Sequence, residues 1–290
     1  MSRDSQTWLV TGGATGFGRE IAVKALLTGH NVAVTARDAG RVQDLVATYG
    51  AKAFGARLDV TRADQAMEAV MQTEAHFGKG IDVVVNAAGS NFVGAVEEAS
   101  DSELRATMDT HFFGVVNVIK ATLPGMRARG KGHFFNFSST GGVQGYAGSS
   151  AYSAAKFAIE GMSESLAKEV APFGIKVTVL EPGPFQTSFF VGSGGRMAAV
   201  AMDEYAGTVK PLRELINNPP SWAPGDPSRA ADQIVRLAMN SDAPMRLVLG
   251  HRAYKLAIAA LERRLTEIQA FKEVSLAADF PEYADRPWPR

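Results

Sequence analysis

Short apolar runs recur along the chain, and amphipathic stretches separate them. Six runs have the composition of strands: TWLVT (7–11), NVAVTA (31–36), IDVVVNAA (81–88), GHFFNFSS (132–139), IKVTVLEP (175–182) and MRLVLG (245–250). KAFGARLD (52–59) is a weaker seventh candidate. Several runs are apolar on both faces of the pleat, as in a parallel sheet covered by helices. The pattern predicts an α/β fold with a doubly wound parallel sheet of about seven strands and helices on both faces.

One long segment interrupts this alternation. Residues 188–224 contain GSGG, a piece rich in Met and Ala, and NNPPSWAP. We interpret the segment as a lid or substrate-shaping insertion, with a flexible surface loop as the alternative. We expect no second domain, so that residues 1–290 form a single domain.

The C-terminal region, 252–290, begins as an amphipathic helix and ends in a polar tail rich in Pro. Its apolar stripe consists of Ile258, Leu261, Leu265 and Ile268. Such a stripe predicts packing on the parent domain or, less often, a subunit contact. The tail is either a frayed end or an arm over a neighbouring subunit.

Composition narrows the classes of partner. Of 290 residues, 46% are hydrophobic and 21% charged, and Lys plus Arg equals Asp plus Glu at 30 each. A balanced charge gives no support to a nucleic-acid or anionic-membrane partner. The absence of Cys excludes thiolate nucleophiles and Cys-ligated metals, and with only scattered His we predict no metal site. Because no signal-peptide-like start and no long apolar run occur, we expect a soluble, cytoplasmic protein.

A glycine-rich turn follows the first predicted strand. Residues 11–18 read TGGATGFG, and an amphipathic helix begins there. Glycines at 12, 16 and 18 let the chain turn tightly and let its backbone approach a pyrophosphate, which the N–H groups of the helix N-terminus then face. The alternative is a tight strand-to-helix turn without a ligand. Its place after the first strand of a βαβ repeat favours a dinucleotide site.

The end of the second strand indicates which dinucleotide, NAD or NADP, the site is expected to bind. It reads VTARD, so that Ala36 stands where an NAD site has a carboxylate, and Arg37 follows. An Arg at this point suits the 2′-phosphate of NADP. We therefore predict NADP, with NAD possible and Arg19 as a weaker second contact. The alternative is a solvated Arg37 paired with Asp38.

The segment YSAAK (152–156) pairs a phenol with an ammonium. Residues i and i+4 of a helix lie over the same face, with Cβ atoms roughly 6 Å apart. A nearby cation favours a phenolate, so we expect Lys156 to lower the pKa of Tyr152 from its ordinary value of about 10. Alone, the pair could equally be an incidental contact on an exposed helix.

Taken together, these motifs resemble the short-chain dehydrogenase/reductase family. The ordered set comprises TGxxxGxG at 11–18, NAAG at 86–89, a Ser thirteen residues before YxxxK, and PGPFQT at 182–187. The resemblance spans about 7–187 and implies a Rossmann-type domain that transfers hydride between a nicotinamide and a carbonyl or alcohol. It also implies a cofactor site formed by Gly12, Thr15, Gly16, Phe17, Gly18, Arg37, Asp59, Val60, Asn86, Ala87, Gly89, Tyr152, Lys156, Pro182, Gly183 and Thr187.

The same resemblance assigns the catalytic roles. Tyr152 exchanges a proton with the substrate oxygen, Ser139 binds that oxygen, and Lys156 supports the phenol and binds the nicotinamide ribose. Ser138 is the neighbouring alternative, and the thirteen-residue spacing favours Ser139. Epimerase or dehalogenase variants of the fold alter the nicotinamide loop or YxxxK, and both are intact here.

One catalytic position departs from the family pattern. The family has an Asn in NxxG, where it kinks a helix and holds a water molecule linked to the Lys, whereas this chain has His111 with Gly114 retained. An imidazole could preserve that link and exchange protons near neutral pH, or the relay could be impaired. Asn117 lies on another helical face and is a poor substitute. Ala87 and Ala155 are smaller departures that remove no reacting group.

The expected substrate is a hydrophobic ketone, aldehyde or secondary alcohol. No cluster of Arg or Lys would select phosphate or CoA groups, and the residues flanking the site are apolar and adaptable. Some of these belong to the core instead of the pocket. The competing function is a catalytically silent NADP-binding regulator, and family habit predicts a homo-oligomer, dimer or tetramer. The candidate pocket residues are Val143, Tyr146, Phe189, Phe190, Val191, Met197 and Met202.

Overall fold

Seven parallel strands form the central sheet in the computed structural model, which describes residues 5–190, 195–217, 223–283 and 286. In chain order the strands of the described residues are β1 (Thr7–Thr11), β2 (Asn31–Ala36), β3 (Ala53–Arg57), β4 (Val83–Asn86), β5 (Asn91–Val93), β6 (Gly132–Phe137), β7 (Ile175–Pro182), β8 (Gly195–Met197) and β9 (Arg246–Leu249). The sheet order is β3-β2-β1-β4-β6-β7-β9, and β5 pairs separately with β8. The order reverses between β1 and β4, where doubly wound folds bind their ligands.

Helices cover both faces of this sheet. In the described residues they are α1 (Gly16–Leu27), α2 (Gln43–Tyr49), α3 (Ala63–Phe77), α4 (Asp101–Met108), α5 (Gly114–Arg129), α6 (Ser150–Val170), α7 (Lys210–Asn217), α8 (Pro227–Ala238), α9 (His251–Ala270) and α10 (Lys272–Leu276). Helices α1, α2 and α8 pack on one face, and α3, α5 and α6 pack on the other. The predicted single-domain α/β fold of seven strands is confirmed.

The alternation of side chains along β1 explains the two apolar layers. Trp8 and Val10 point into one core with α1 and α8, whereas Leu9 points into the other with α3 and α5. All three side chains are fully buried. A strand that is apolar on both sides therefore serves two cores, and this is why alternation of polar and apolar residues is missing.

Strand β4 is shorter than the apolar run that predicts it. The run 81–88 suggests eight strand residues, but pairing covers only Val83–Asn86. After Asn86 the chain leaves the sheet and turns against the glycine-rich segment, because Thr11 draws the backbone towards β1. Thr11 and Asn86 are register partners at the carboxyl ends of adjacent strands.

The insertion at 188–224 contains regular structure where the structure describes it. It supplies β8, which pairs with β5, and helix α7. Its ends meet, since Gln186 N–H donates to the Gly225 carbonyl and the Gln186 side chain donates to the Ala223 carbonyl. A small apolar cluster of Val93, Ala95 and Val209 joins the insertion to the main domain.

The predicted packing of the C-terminal stripe on the parent domain is wrong. Helix α9 rests on the domain through small residues, Ala253, Ala257 and Ala260, which are buried. The stripe faces away, because only alanine side chains allow the close helix approach that this position requires. Its members are between 41% and 61% exposed: Ile258, Leu261, Leu265 and Ile268.

Candidate active site

The glycine-rich turn is shaped by close backbone contacts. Gly12 has a φ of +67°, and a Cβ there would lie 2.8 Å from the Ala88 Cα. A Cβ on Gly18 would lie 2.5 Å from the Gly12 carbonyl oxygen. Only glycine fits these two positions, since no side chain tolerates contacts this short. The turn and the NAAG segment therefore form one tightly packed unit.

Helix α1 begins directly after this turn, and its N-terminus has no side-chain cap from the N-cap residue. Thr15 occupies the cap position, is exposed, and makes no side-chain cap hydrogen bond, and the first turn carries no acidic residue. Gly16, with a φ of +56°, lies opposite Thr187, whose Cβ would be 3.5 Å from a Cβ at position 16. Free N–H groups at a helix N-terminus bind phosphate groups.

Thr11 holds the NAAG turn in place, a role that the sequence alone does not reveal. Its hydroxyl donates to the Val85 carbonyl at 3.3 Å and accepts from the N–H groups of Ala87 and Ala88 at 3.1 and 3.2 Å. The sequence feature that could have indicated this role is a Thr at the end of a strand, just before the glycines. Thr11 thus fixes Ala87 and its neighbours relative to β1.

Asn86 lies in a buried polar chain. Its side-chain nitrogen donates to Asn136 Oδ1 at 2.9 Å, and the Asn136 nitrogen donates to Ser163 Oγ at 2.9 Å. The Asn86 Oδ1 atom is buried and has no partner among the described residues. The chain ties β4 to β6 and α6, so that Asn86 acts first as a structural link.

Phe17 contributes to the core through its ring. The ring packs against Phe137 and Phe185, with centroids 5.1 and 4.8 Å apart. Only the backbone of Phe17 remains for a ligand at the helix N-terminus. A residue inside a glycine motif can therefore be a packing residue.

On the adenosine side, Asp59 and Val60 follow β3. One oxygen of the Asp59 carboxylate accepts from the Thr61 N–H and hydroxyl, at 3.0 and 2.8 Å. The Val60 side chain is buried, and its carbonyl accepts from the side chain of Asn117 at 2.9 Å. Asn117 is thereby committed to this loop and does not replace the family's relay Asn.

The two candidate 2′-phosphate ligands differ in availability. Arg37 is exposed and has no hydrogen-bond or ion-pair partner among the described residues, and Asp38 accepts from the Gly40 N–H instead of pairing with it. Arg19 forms an ion pair with Asp44, and that contact lowers the pKa of the Asp44 carboxyl. Arg37 is therefore the cation that is free to bind an anion.

Ser139, Tyr152 and Lys156 converge where β6 ends and α6 begins. Tyr152 and Lys156 are buried, and the Lys156 Nζ atom lies 5.5 Å from the centre of the Tyr152 ring. The Ser139 hydroxyl hydrogen-bonds to Tyr152 and also accepts from the Gly141 N–H at 3.1 Å. Lys156 Nζ donates to the Phe137 carbonyl at 2.7 Å. The predicted trio is thus brought together.

Electrostatics in this trio differ from the prediction. Burial raises the pKa of Tyr152 to about 12, although the hydrogen bond with Ser139 lowers it in part. Burial also lowers the pKa of Lys156 to about 7, against the opposing effect of Glu160. The prediction of a lowered Tyr152 pKa is therefore wrong for this arrangement, because desolvation of the buried phenol dominates.

The choice between Ser138 and Ser139 is decided by side-chain direction. Ser138 is buried, and its hydroxyl faces Gly142, where a Cβ would lie 2.4 Å away. Ser139, the next residue, turns its hydroxyl towards Tyr152. Successive residues of an extended chain point to opposite sides, so that of these two hydroxyls it is the one of Ser139 that lies beside the Tyr152 phenol.

His111 lies in a π-helical turn, Asp109–Phe113, between α4 and α5. Its Nε2 atom is 2.7 Å from the Ser90 carbonyl oxygen and 3.4 Å from the Ser90 nitrogen. Because a carbonyl oxygen only accepts, the shorter contact assigns Nε2–H as the donor, and Nδ1 is then a buried acceptor without a partner among the described residues. The imidazole meets the Tyr152 ring edge to face, with centroids 5.3 Å apart. It also explains Gly89, since a Cβ there would lie 2.7 Å from the imidazole Cε1 atom.

His111 is neutral in the physiological range. Burial lowers its pKa to about 3, and the charge of Lys156 acts in the same direction. The prediction that His111 exchanges protons near neutral pH is therefore wrong. His133 is likewise a packed residue, since it is buried and hydrogen-bonded to Thr178 at 2.9 Å.

The predicted pocket residues do not all lie beside Tyr152. The Phe189 ring meets the Tyr152 ring edge to face, with centroids 5.7 Å apart. Pro182 and Gly183 lie at the end of β7, and a Cβ on Gly183 would be 3.0 Å from the Ala253 Cβ. Met197 packs instead in the small cluster of the insertion. The phenol of Tyr146 accepts from Gln144 at the surface. Val143 and Met202 are half-buried, whereas Val191 and the side chain of Phe190 lie outside the described residues.

A buried ion pair fastens the insertion beside the site. Glu98 is paired with Arg213 at 2.9 Å, with side chains 2% and 15% exposed, and Glu98 also accepts from the N–H groups of Ala95 and Met202. Burial would raise the pKa of Glu98, but these donors outweigh it and hold the pKa below its usual range. We call Glu98 and Arg213 the latch. Their sequence separation of 115 residues hides the pairing from local patterns.

A model of the family described as short chain dehydrogenase matches residues 6–194. This chain belongs to the short-chain dehydrogenase family. The match includes the glycine turn, the NAAG turn, the trio of Ser139, Tyr152 and Lys156, and the PGPFQT motif at 182–187. It ends near the start of the insertion, at residue 194, so the latch partner Arg213 lies beyond it.

Relatives and solved structures extend the similarity over nearly the whole chain. Oxidoreductase BOA17 of Botryotinia fuckeliana (strain B05.10) is 37% identical over 275 residues, covering 94% of this chain and 99% of that protein. Retinol dehydrogenase 8 of Homo sapiens is 38% identical over 212 residues, covering 72% of this chain and 67% of that protein. A short-chain dehydrogenase structure from Streptomyces avermitilis is 41% identical, with a TM-score of 0.88 and coverage of 95% and 100%. The chain is thus an oxidoreductase of this family.

The residues of this short-chain dehydrogenase fit the family's nicotinamide dinucleotide. The turn at Gly12 and Gly18 has no room for side chains, the α1 N-terminus is uncapped, and Asn86 Oδ1 is a buried acceptor without a partner among the described residues. Such a cradle suits a pyrophosphate and its ribose. None of the helices in the described part of the chain is long and apolar enough to cross a membrane.

Proposed function

We propose that this short-chain dehydrogenase interconverts an apolar ketone or aldehyde and the corresponding alcohol, with NADP as cofactor. The observation that carries the proposal is the convergence of Ser139, Tyr152 and Lys156 beside a glycine turn that fits a dinucleotide. The bound nucleotide supplies the hydride for reduction or accepts it in oxidation. The protein supplies orientation and the proton.

Each member of the trio has one task. The Ser139 hydroxyl binds the substrate oxygen and holds it near the phenol. Tyr152 gives its proton to that oxygen in reduction and takes one back in oxidation. Lys156, within 5.5 Å of the ring centre, supplies positive charge and is placed to bind a ribose hydroxyl. A pKa of about 12 keeps Tyr152 protonated at neutral pH, the form that reduction requires.

The preference for NADP rests on Arg37. It follows the strand end at Ala36, which is buried, and Arg37 has no partner among the described residues. No carboxylate replaces Ala36 to bind a free ribose 2′-hydroxyl. A free guanidinium at this position suits a 2′-phosphate and binds it bidentately.

The apolar substrate class is supported by the surroundings of Tyr152. Phe189 lies on its ring and His111 is neutral, so the phenol meets no anionic or cationic group on these sides. The similar human protein is named a retinol dehydrogenase, which suits an apolar alcohol as substrate. We further propose that residues 188–224 shape this pocket and that the protein forms a homo-oligomer.

The test is NADPH consumption with a panel of apolar ketones and aldehydes, for wild type and Tyr152→Phe. We expect turnover with at least one carbonyl and a loss of at least about 100-fold in the variant, since a general acid is removed. Parallel assays with NADH and with Arg37→Ala measure cofactor choice. Arg37→Ala should weaken the binding of NADPH but not the binding of NADH. Nucleotide binding without turnover of any carbonyl or alcohol would favour the regulatory protein instead.

A further inference from the structure

A second group of ionisable side chains is buried behind the catalytic trio. Glu160 lies one helical turn after Lys156 on α6, and Glu181 lies on β7. Their side chains are 11% and 4% exposed. Arg246, at the start of β9, faces both. Buried carboxylates are costly unless they are paired, so this cluster requires an explanation.

One arginine serves two buried carboxyl groups unequally. Arg246 Nε is 3.0 Å from Glu160 Oε2 and 3.8 Å from Glu181 Oε1. Its Nη2 atom is 2.7 Å from Glu164, which is also paired with Lys168. Glu160 therefore has the close ion pair. Glu181 has no full counter-charge of its own.

A shared proton satisfies this arrangement. Glu160 Oε1 is buried and has no hydrogen-bond partner among the described residues. If Glu181 is protonated, its hydroxyl donates to Glu160, and both groups are then hydrogen-bonded. Burial raises the pKa of Glu181 to about 7, and the neighbouring charge of Glu160 acts in the same direction while Arg246 opposes it. Two carboxyl groups in one site commonly hold one proton between them.

The pair connects the two parts of the catalytic machinery. Glu160 belongs to the helix that carries Tyr152 and Lys156, and its negative charge favours the ammonium form of Lys156. Glu181 directly precedes Pro182, the last residue of β7, and Gly183, both at the predicted nicotinamide side. A change in the charge of either carboxyl group is therefore expected to affect both Lys156 and the segment at Pro182 and Gly183.

We propose that Glu160 and Glu181 hold one proton between them and that the single remaining negative charge favours the ammonium form of Lys156, so that the pair acts as a positioning element. The catalytic role of Lys156 is that of the proposed function. The charged groups that face the pair are Lys156 and Glu164 on α6 and Arg246 on β9. The Ser138 hydroxyl, which lies across Gly142 from the Glu160 side chain, is the nearby neutral group.

The first test requires no catalysis. Unfolding midpoints are measured from pH 5 to pH 9 for wild type, Glu181→Gln and the control Glu164→Gln, whose side chain is half exposed on the same arginine. The folded pKa of Glu181 exceeds its unfolded value, so its contribution to stability is present at low pH and lost as pH rises through about 7. Relative to wild type, Glu181→Gln should therefore gain several degrees between pH 5 and pH 8, whereas the control should not. A difference that stays constant with pH would overturn the shared proton.

The second test reads Lys156 directly. Its titration is followed by NMR in protein labelled with ¹³C at the lysine ε-carbon, with Lys156→Met to assign the signal. Removal of the negative charge in Glu160→Gln should lower the Lys156 pKa by about one unit, and Glu164→Gln should leave it unchanged. An unmoved Lys156 would refute the positioning role even if the proton is shared. Neither test needs turnover, so an inactive wild type would count against the proposed function alone.

Discussion

The cofactor side and the insertion side of the site are built in different ways. On the cofactor side, glycine and backbone atoms meet: Gly12 touches Ala88, and Gly18 touches Gly12. On the insertion side, charged side chains far apart in the chain meet, as Glu98 and Arg213 do in the latch. Backbone contacts leave a readable glycine pattern in the sequence. A pair of charges 115 residues apart leaves none.

The largest effect is expected from Gly12→Ala. The new Cβ would lie 2.8 Å from the Ala88 Cα, and the alanine residue would have to adopt a φ of +67°. Strain of about 1–2 kcal/mol and a backbone collision of about 1–3 kcal/mol should together weaken nucleotide binding by about 100-fold or more. Fluorescence titration with NADPH measures this loss, and urea unfolding measures the accompanying loss of stability.

A matched glycine separates strain from collision. Gly78 has a φ of +63°, and a Cβ there would have nothing within 4 Å. Gly78→Ala should therefore cost about 1–2 kcal/mol of stability and leave nucleotide affinity unchanged. If both variants bound NADPH alike, close approach at Gly12 would not explain the glycine.

Close backbone packing therefore explains why the glycine turn can be located from the sequence. Glycine positions, the strand end at Arg37 and the YxxxK spacing are local patterns, and each is found where it was predicted. The errors concern burial, which local patterns do not report. The charge states of Tyr152 and His111 follow from desolvation by residues distant in sequence, and the stripe on α9 faces outwards because small alanines pack on the domain.

A smaller and more selective effect is expected from Glu98→Gln. The amide keeps the shape but leaves Arg213 without its buried counter-charge, at a cost of about 3 kcal/mol to the latched form. We expect faster proteolysis within 195–213 and a KM for the carbonyl substrate raised several-fold. Nucleotide affinity should stay unchanged, because the latch touches none of the cofactor-side glycines.

The neighbouring residue provides the control. Glu97 is exposed, and its hydrogen-bond partner among the described residues is the Tyr205 phenol, at 2.7 Å. Glu97→Gln should thus change neither proteolysis nor KM. Because the folded pKa of Glu98 is lowered, its stabilising contribution is present at neutral pH and lost in acid. Wild type should therefore become more sensitive to an acid-active protease as pH falls, and Glu98→Gln should show less of this pH dependence.

The smallest effect is expected from His111→Asn. With a pKa of about 3, the imidazole carries no charge at neutral pH, and its Nε2–H donates to the Ser90 carbonyl. Asn also offers an N–H donor, so kcat should change by less than about tenfold, whereas loss of a proton-exchanging group would cost about 100-fold or more. The pH profile of kcat between pH 6 and pH 9 measures this.

The shape of that profile sharpens the comparison between local and distant determinants. A limb near pH 7 that persists in His111→Asn but moves in Glu160→Gln would assign the titration to Lys156 and its buried carboxyl pair. A limb that disappears in His111→Asn would contradict the neutral imidazole. In that case the family's Asn and this His would differ in chemistry, and desolvation alone would not set the charge at position 111.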